Sequence, residues 1–374
     1  MNYKNAWIYT PRFTFEKGGF SVEDGKFCAV GTEQSDAVDL GGAYVIPGLI
    51  DVHNHGNSGA DFSDGSYEGC VTMARYLAGQ GITSFCPATM TLPYETIANA
   101  LAAGLRLHKA PVADGARLLG VQMEGPFFSE KKKGAQNADY LRLPDFEAFR
   151  KLYEDSEGLI RIVDLAPELE GSVDFVRRAQ ALCTVSIAHT DSDYEHAKAA
   201  VDAGVTHLTH LYNAMPPIHH RKPGVIGACS ENEKVFAELI CDGIHIHPSS
   251  VRMAFRLFGA ERMVLISDAL RCCGMPEGQY ELGGQQVFLK PHDAARLADG
   301  TIAGSATNLF ECMQNAISFG IPKEDAVRAA TWNPAHQIGA LDRVGSIEDG
   351  KLADFVVCDE NMNRKAVYLS GNAV

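Results

Sequence analysis

Two rhythms of apolar and polar residues divide this chain. Near the N-terminus the apolar runs are short: Ala6-Trp7-Ile8-Tyr9, Phe13-Thr14-Phe15 and residues 25–31. They read as strands, with Gly18-Gly19 and Asp24-Gly25 as turns. The far end offers the same material in residues 344–358 and 366–371. Neither segment has enough strands to be stable alone. The two are therefore expected to join in one small β-sandwich domain, residues 1–46 with 340–374.

Between them, strand-like runs alternate with helical spacing. Cys70, Met73, Ala74 and Leu77 fall at i, i+3, i+4 and i+7 of one helix, and Ile97, Ala100, Leu101 and Leu105 mark another. Ser192-Asp193-Tyr194-Glu195 matches a capping box. Eight strand-like runs stand out, at 45–50, 82–85, 118–123, 160–165, 184–188, 207–209, 236–241 and 263–267. Repeated strand-then-helix units predict an α/β fold, a (β/α)8 TIM-type barrel over residues 47–339, with its active site at the C-terminal strand ends. A doubly wound sheet is the alternative, but no GxGxxG turn follows the first strand.

Composition narrows the function without changing that fold. The chain has 374 residues, 46% hydrophobic and 21% charged, ordinary for a large globular core. A net charge of −14 argues against nucleic acid, whose phosphates want a basic face. An anionic small molecule stays open wherever a few cations cluster. The 10 cysteines form no CxxC and no regular spacing, which suits reduced thiols in the cytoplasm. No apolar run approaches the ~20 residues of a membrane span, and no apolar h-region of a signal peptide follows Lys4.

Candidate chemistry gathers at the strand ends. His53 and His55 follow the first run and share one face of an extended chain, so the pair can chelate one cation. An isolated His-x-His is weak evidence. The other ends strengthen it: Glu124 after the third run, His189 after the fifth, His210 after the sixth, Asp242 and His245 after the seventh, Asp268 after the eighth. A lone histidine is more often a satisfied core or surface residue, and a lone aspartate after a strand is often a helix N-cap. Six strands ending in such residues at one level of a barrel point to a divalent metal. The chemistry these groups suit is metal-assisted hydrolysis. A bound ion brings the pKa of water from ~15.7 towards ~7. Asp268, a free carboxylate, can take the water's proton and return it to a leaving amine. Arg221-Lys222 offers a guanidinium fork for phosphate, or else is a solvated basic turn. Lys131-Lys132-Lys133 reads as a solvated loop face or lid.

The His-x-His, Glu, His, His, Asp series resembles the amidohydrolase superfamily. Longer motifs resemble its N-acetylglucosamine-6-phosphate deacetylase family. They include Met123-Glu124-Gly125-Pro126-Phe127, Lys132-Lys133-Gly134-Ala135, Thr209-His210-Leu211-Tyr212-Asn213-Ala214-Met215-Pro216, Asp242-Gly243-Ile244-His245 and Ser267-Asp268-Ala269. The resemblance implies hydrolysis of the acetamide of N-acetylglucosamine 6-phosphate by a cytoplasmic homodimer. The alternatives are another N-acetylhexosamine phosphate or a cyclic amide. A cyclic-amide hydrolase usually carries a barrel lysine where Ala166-Pro167-Glu168 stands here.

The resemblance also implies a divalent metal, one or two ions per chain, zinc first, with iron, manganese, cobalt or nickel as others. Glu124, His189 and His210 would hold the main ion, and His53 and His55 a second. Asp268 would be the acid and base. His245 would contact the acetamide carbonyl. Substrate contacts would come from Ala135, Gln136, Asn213, Ala214, Arg221, Asp242, Ile302, Ala303 and Gly304. Many family members have histidine where this chain has Gln136, which can donate a hydrogen bond but carries no proton charge.

Overall fold

A computed structural model describes residues 1–374. Eight strands run in parallel: β1 (Leu49–Asn54), β2 (Ile82–Pro87), β3 (Val121–Phe127), β4 (Ile160–Leu165), β5 (Thr184–Ile187), β6 (His207–Leu208), β7 (Phe236–Ile240) and β8 (Met263–Ile266). β1 pairs with β2, and β3 to β8 pair in sequence order. A parallel bridge between Ala88 and Gln122 links the two groups. At the other edge the Asp268 N–H donates to the His53 carbonyl at 2.9 Å. Helices follow the strands, among them Tyr67–Gly79 after β1, Tyr94–Lys109 after β2 and Pro248–Phe258 after β7.

The strands are buried almost throughout, which is why they read as continuous apolar runs rather than alternations. Alternation survives in where the side chains go. Met263 and Leu265 of β8 join the large core shared with the helices. Val264 and Ile266 join a smaller one with Ile50, Val52, Ile162 and Ile240 of other strands. The fold is α/β with parallel sheet, consistent with a TIM-type barrel.

Several expected boundaries move. The run 45–50 divides at Gly48. Tyr44–Pro47 sits between Asn2–Tyr9 and Phe355–Cys358 in an eight-stranded sheet built from both chain ends. The Gly48 N–H donates to Asp354 C=O, and a Cβ there would lie 2.0 Å from Thr83 Oγ1, so the crossing needs glycine. The run 118–123 also divides: Arg117–Leu118 pairs with β2, and β3 begins at Val121. His53 and Glu124 therefore stand inside their strands rather than beyond them. Gly18-Gly19 is no turn but the middle of strand Phe15–Glu23. A Cβ on Gly19 would meet Tyr3 O at 2.3 Å, so its smallness admits a neighbouring strand. The expected capping box also fails. Asp193, not Ser192, caps helix Tyr194–Ala203, accepting from the His196 N–H.

One element was not anticipated. Gly278–Leu282, Gln285–Leu289, Ala295–Leu297 and Ile302–Gly304 form a four-stranded antiparallel sheet after β8. No helix is long and apolar enough to cross a membrane. All 10 cysteines are free thiols.

Candidate metal centre and active site

A cavity of about 410 Å³ opens at the C-terminal ends of the strands. Glu124 of β3 lies at its centre, 2% exposed. Its Oε1 is 3.2 Å from His189 Nε2 and 3.3 Å from His210 Nε2, and those two nitrogens are 3.2 Å apart. Its Oε2 is 3.3 Å from His55 Nε2. Two groups of ligand atoms thus share one carboxylate: Glu124 with His189 and His210, and Glu124 with His53 and His55. Asp268 Oδ1 faces the second group, 3.6 Å from His53 Nε2 and 3.5 Å from His55 Nε2.

The backbone is committed to this arrangement. His189, His210 and Asp268 have φ of +44°, +32° and +49°. Non-glycine residues rarely occupy that region, and strain of this kind persists only where the surroundings impose it. His189 is further fixed by its Nδ1, which donates to Lys132 C=O at 2.8 Å and leaves Nε2 free to ligate.

The electrostatics call for a cation. Burial works against a charged His55, yet hydrogen bonds to Asp268 and Glu124 raise its pKa to about 10. Burial likewise opposes a charged Glu124 and Asp268, but the surrounding histidines hold both carboxyls below their ordinary values. A divalent ion would supply the positive charge that imidazolium protons otherwise provide. His53 Nε2, His55 Nδ1 and His210 Nδ1 are buried without hydrogen-bond partners. Imidazoles, a shared carboxylate and an unpartnered ring nitrogen are a donor set that fits a divalent metal.

Of the other expected residues, Ala135, Gln136, Asn213, Ala214 and His245 line the cavity, as do Ile302, Ala303 and Gly304 of the antiparallel sheet. His53 lies behind His55, fully buried. Asp242 does not line the cavity. Its Oδ2 takes the His245 Nδ1–H at 2.6 Å, and its Oδ1 accepts two backbone N–H groups, so it holds His245 in place. Burial alone would lower the His245 pKa, and the Asp242 carboxylate raises it. Arg221 is absent from the cavity wall as well. It is exposed, with its guanidinium on His220 Nε2 at 2.6 Å. The cations that do line the cavity are Lys131 and Lys132.

Gln136 is placed otherwise than expected for a substrate donor. Its Nε2 donates to Glu124 Oε2 at 2.7 Å, and its Oε1 accepts the Thr91 N–H at 2.7 Å. Sequence reasoning also missed the layer beneath the cavity. Asp51 holds Ser267 Oγ at 2.6 Å. Glu238 of β7 lies 3.0 Å from both His53 and His207. An acid inside the apolar strand Phe236-Ala237-Glu238-Leu239-Ile240 was the available signal.

The profile of the Amidohydrolase family matches residues 44–374. N-acetylglucosamine-6-phosphate deacetylase of Bacillus subtilis (strain 168) is 36% identical over 99% of this chain and 96% of its own. The chain belongs to the amidohydrolase family, in its N-acetylglucosamine-6-phosphate deacetylase branch. A mutant of that deacetylase from Mycobacterium smegmatis, solved in complex with N-acetyl-D-glucosamine-6-phosphate, superposes with a TM-score of 0.91 at 30% identity. That match covers 100% of this chain and 98% of the other. N-acetylgalactosamine-6-phosphate deacetylase of Escherichia coli O157:H7 is 32% identical over 94% of this chain and 93% of its own.

Proposed function

We propose that this protein hydrolyses the acetamide of N-acetylglucosamine 6-phosphate to glucosamine 6-phosphate and acetate. The observation that carries the reading is the convergence of Glu124, His189, His210 and Asp268 on one cavity, in a chain of this family. Glu124, His189 and His210 would hold the main divalent ion. His53 and His55, with Glu124, would hold a second. Zinc fits the imidazole-rich set best, and iron, manganese, cobalt and nickel accept the same donors. The ion, when bound, supplies Lewis acidity to an amide carbonyl and acidifies water.

The chain's own residues do the rest. Asp268, ionised and facing the ligand cluster, takes a proton from the attacking water. The C–N bond then breaks, and Asp268 delivers that proton to the departing nitrogen, which would be a poor leaving group as an amide anion. His245, oriented by Asp242, donates to the acetamide oxygen, where charge develops. Backbone around Asn213 and Ala214 borders the sugar. Lys131, Lys132 and the exposed Arg221 are the cations available to its phosphate.

The wider organisation belongs to the same proposal. Residues 47–339 close as a (β/α)8 barrel, and 1–46 with 340–374 form a β-sandwich domain. The protein works as a cytoplasmic homodimer. The second reading is an N-acetylgalactosamine 6-phosphate substrate, favoured by the similarity to a deacetylase of that name. Acetate release from the two epimers, with unphosphorylated N-acetylglucosamine as control, tests the reading. A faster galactosamine reaction reverses the order of the two readings, and no release from either phosphosugar overturns both.

A further inference from the structure

Glu238 sits in the middle of β7 and is fully buried, yet it never reaches the cavity. Three donors converge on its carboxylate. His53 Nδ1 is 3.0 Å from Oε2, the His210 N–H donates to Oε2 at 3.1 Å, and His207 Nε2 is 3.0 Å from Oε1. His207 is itself buried and anchored at the far side, with Nδ1 3.1 Å from Gln337 Oε1. A carboxylate accepts and does not donate. The His53 proton is therefore on Nδ1. A neutral imidazole so arranged presents its lone pair on Nε2, and His53 Nε2 is the buried atom left without a partner, 3.7 Å from Glu124 Oε1.

We propose that Glu238 is the positioning residue that makes His53 a metal ligand, so that the second ion depends on a carboxylate it never touches. The inference rests on the two-ion reading above. The geometry is that of a carboxylate–histidine–metal relay, in which the outer group fixes tautomer and ring orientation. It accounts for an otherwise costly charge in an apolar strand. Glu238 also ties His53 to the backbone of His210, one ligand from each group. Without it His53 can flip or change tautomer, whereas His189, His210 and Glu124 keep their mutual contacts. Loss of Glu238 is thus expected to weaken the second ion more than the first.

The test is metal binding by the wild-type chain, Glu238→Gln, His53→Gln and the double variant, each stripped of metal and titrated with zinc against a competing chelator to give zinc per chain and the affinity of each ion. Glutamine keeps the shape, but one of its two ends now donates. The wild type should take two ions. Glu238→Gln should keep the first ion and lose affinity for the second by about 10- to 100-fold, and His53→Gln, which removes the ligand itself, should keep the first ion and lose at least as much for the second. The double variant should be no worse than His53→Gln alone, which a merely structural role for Glu238 would not produce. Two ions at wild-type affinity in Glu238→Gln would overturn the proposal, as would a double variant that also loses the first ion. A wild type that takes one ion defeats the two-ion reading as well, so the two failures are distinguishable. If Glu238→Gln does not fold, Glu238→Leu with His207→Leu replaces the buried pair by apolar side chains of similar size. The same loss is expected there, and the same retention would overturn the proposal.

Discussion

On the floor of the cavity four side chains around the ligand cluster are held by a second group. His189 is tied to Lys132, His53 to Glu238, His245 to Asp242 and Glu124 to Gln136. On the rim the reverse holds. Lys131 is 79% exposed and paired only with Asp191, and Arg221 rests on its neighbour His220. The floor comes from parallel strand ends, the rim from loops and from the antiparallel sheet that ends in Ile302–Gly304. Rigid strand ends suit a reaction that needs atoms fixed within fractions of an ångström. Adaptable loops suit the choice of sugar and phosphate. Chemistry and specificity should therefore be separable by mutation.

The largest effect is expected at Glu124, which both ligand groups share. Glu124→Ala should remove bound metal and take turnover to background while the fold survives, read by elemental analysis and circular dichroism. Full metal occupancy in that variant would refute the shared-ligand assignment. Asp268→Asn comes next. It should keep substrate binding and most of the metal yet lose turnover by at least ~10²-fold, because asparagine cannot carry the proton. Near-normal turnover would remove Asp268 from the mechanism.

Gln136→Ala tests where floor ends and rim begins. If Gln136 belongs to the floor, the change leaves Glu124 Oε2 and the Thr91 N–H short of a partner. Metal affinity should then fall by about 10- to 100-fold, with ~1–3 kcal/mol of stability. A raised KM with unchanged metal affinity would return Gln136 to the substrate. The smallest effects are expected on the rim. Arg221→Ala and Lys132→Ala should raise KM for the phosphorylated sugar by roughly 10-fold or more and leave the unphosphorylated sugar unaffected. Equal rates of the unaltered enzyme on both sugars would deny the rim any phosphate role.

The same contrast governs how much could be read from sequence. Strand ends announce themselves, because an apolar run that stops at His189, His210 or Asp268 is a local pattern. Two of the holding partners are distant in the chain: Glu238 lies 185 positions from His53 and Lys132 lies 57 from His189. Nothing short-range joins them, although an acid inside an apolar strand marks one of the pair. Boundaries failed where one run serves two sheets, as at Pro47 and Gly48. Gly18-Gly19 carried a turn signal but answers to close packing. The antiparallel sheet had its own signal. Gly283-Gly284 is the two-residue turn between Leu282 and Gln285, which pair across it, and both glycines have positive φ. That signal is easily passed over when the strands before it all belong to βα units.

The central claim is that the buried floor is a metal centre that cleaves the acetamide of a phosphorylated sugar. Acetate release from N-acetylglucosamine 6-phosphate, measured before chelation, after it and after zinc is restored, with metal content followed in each sample, addresses that claim directly. The account predicts loss of the rate with the metal, its return with zinc, and a slower reaction on the unphosphorylated sugar throughout. An undiminished rate in protein shown to be metal-free would contradict it.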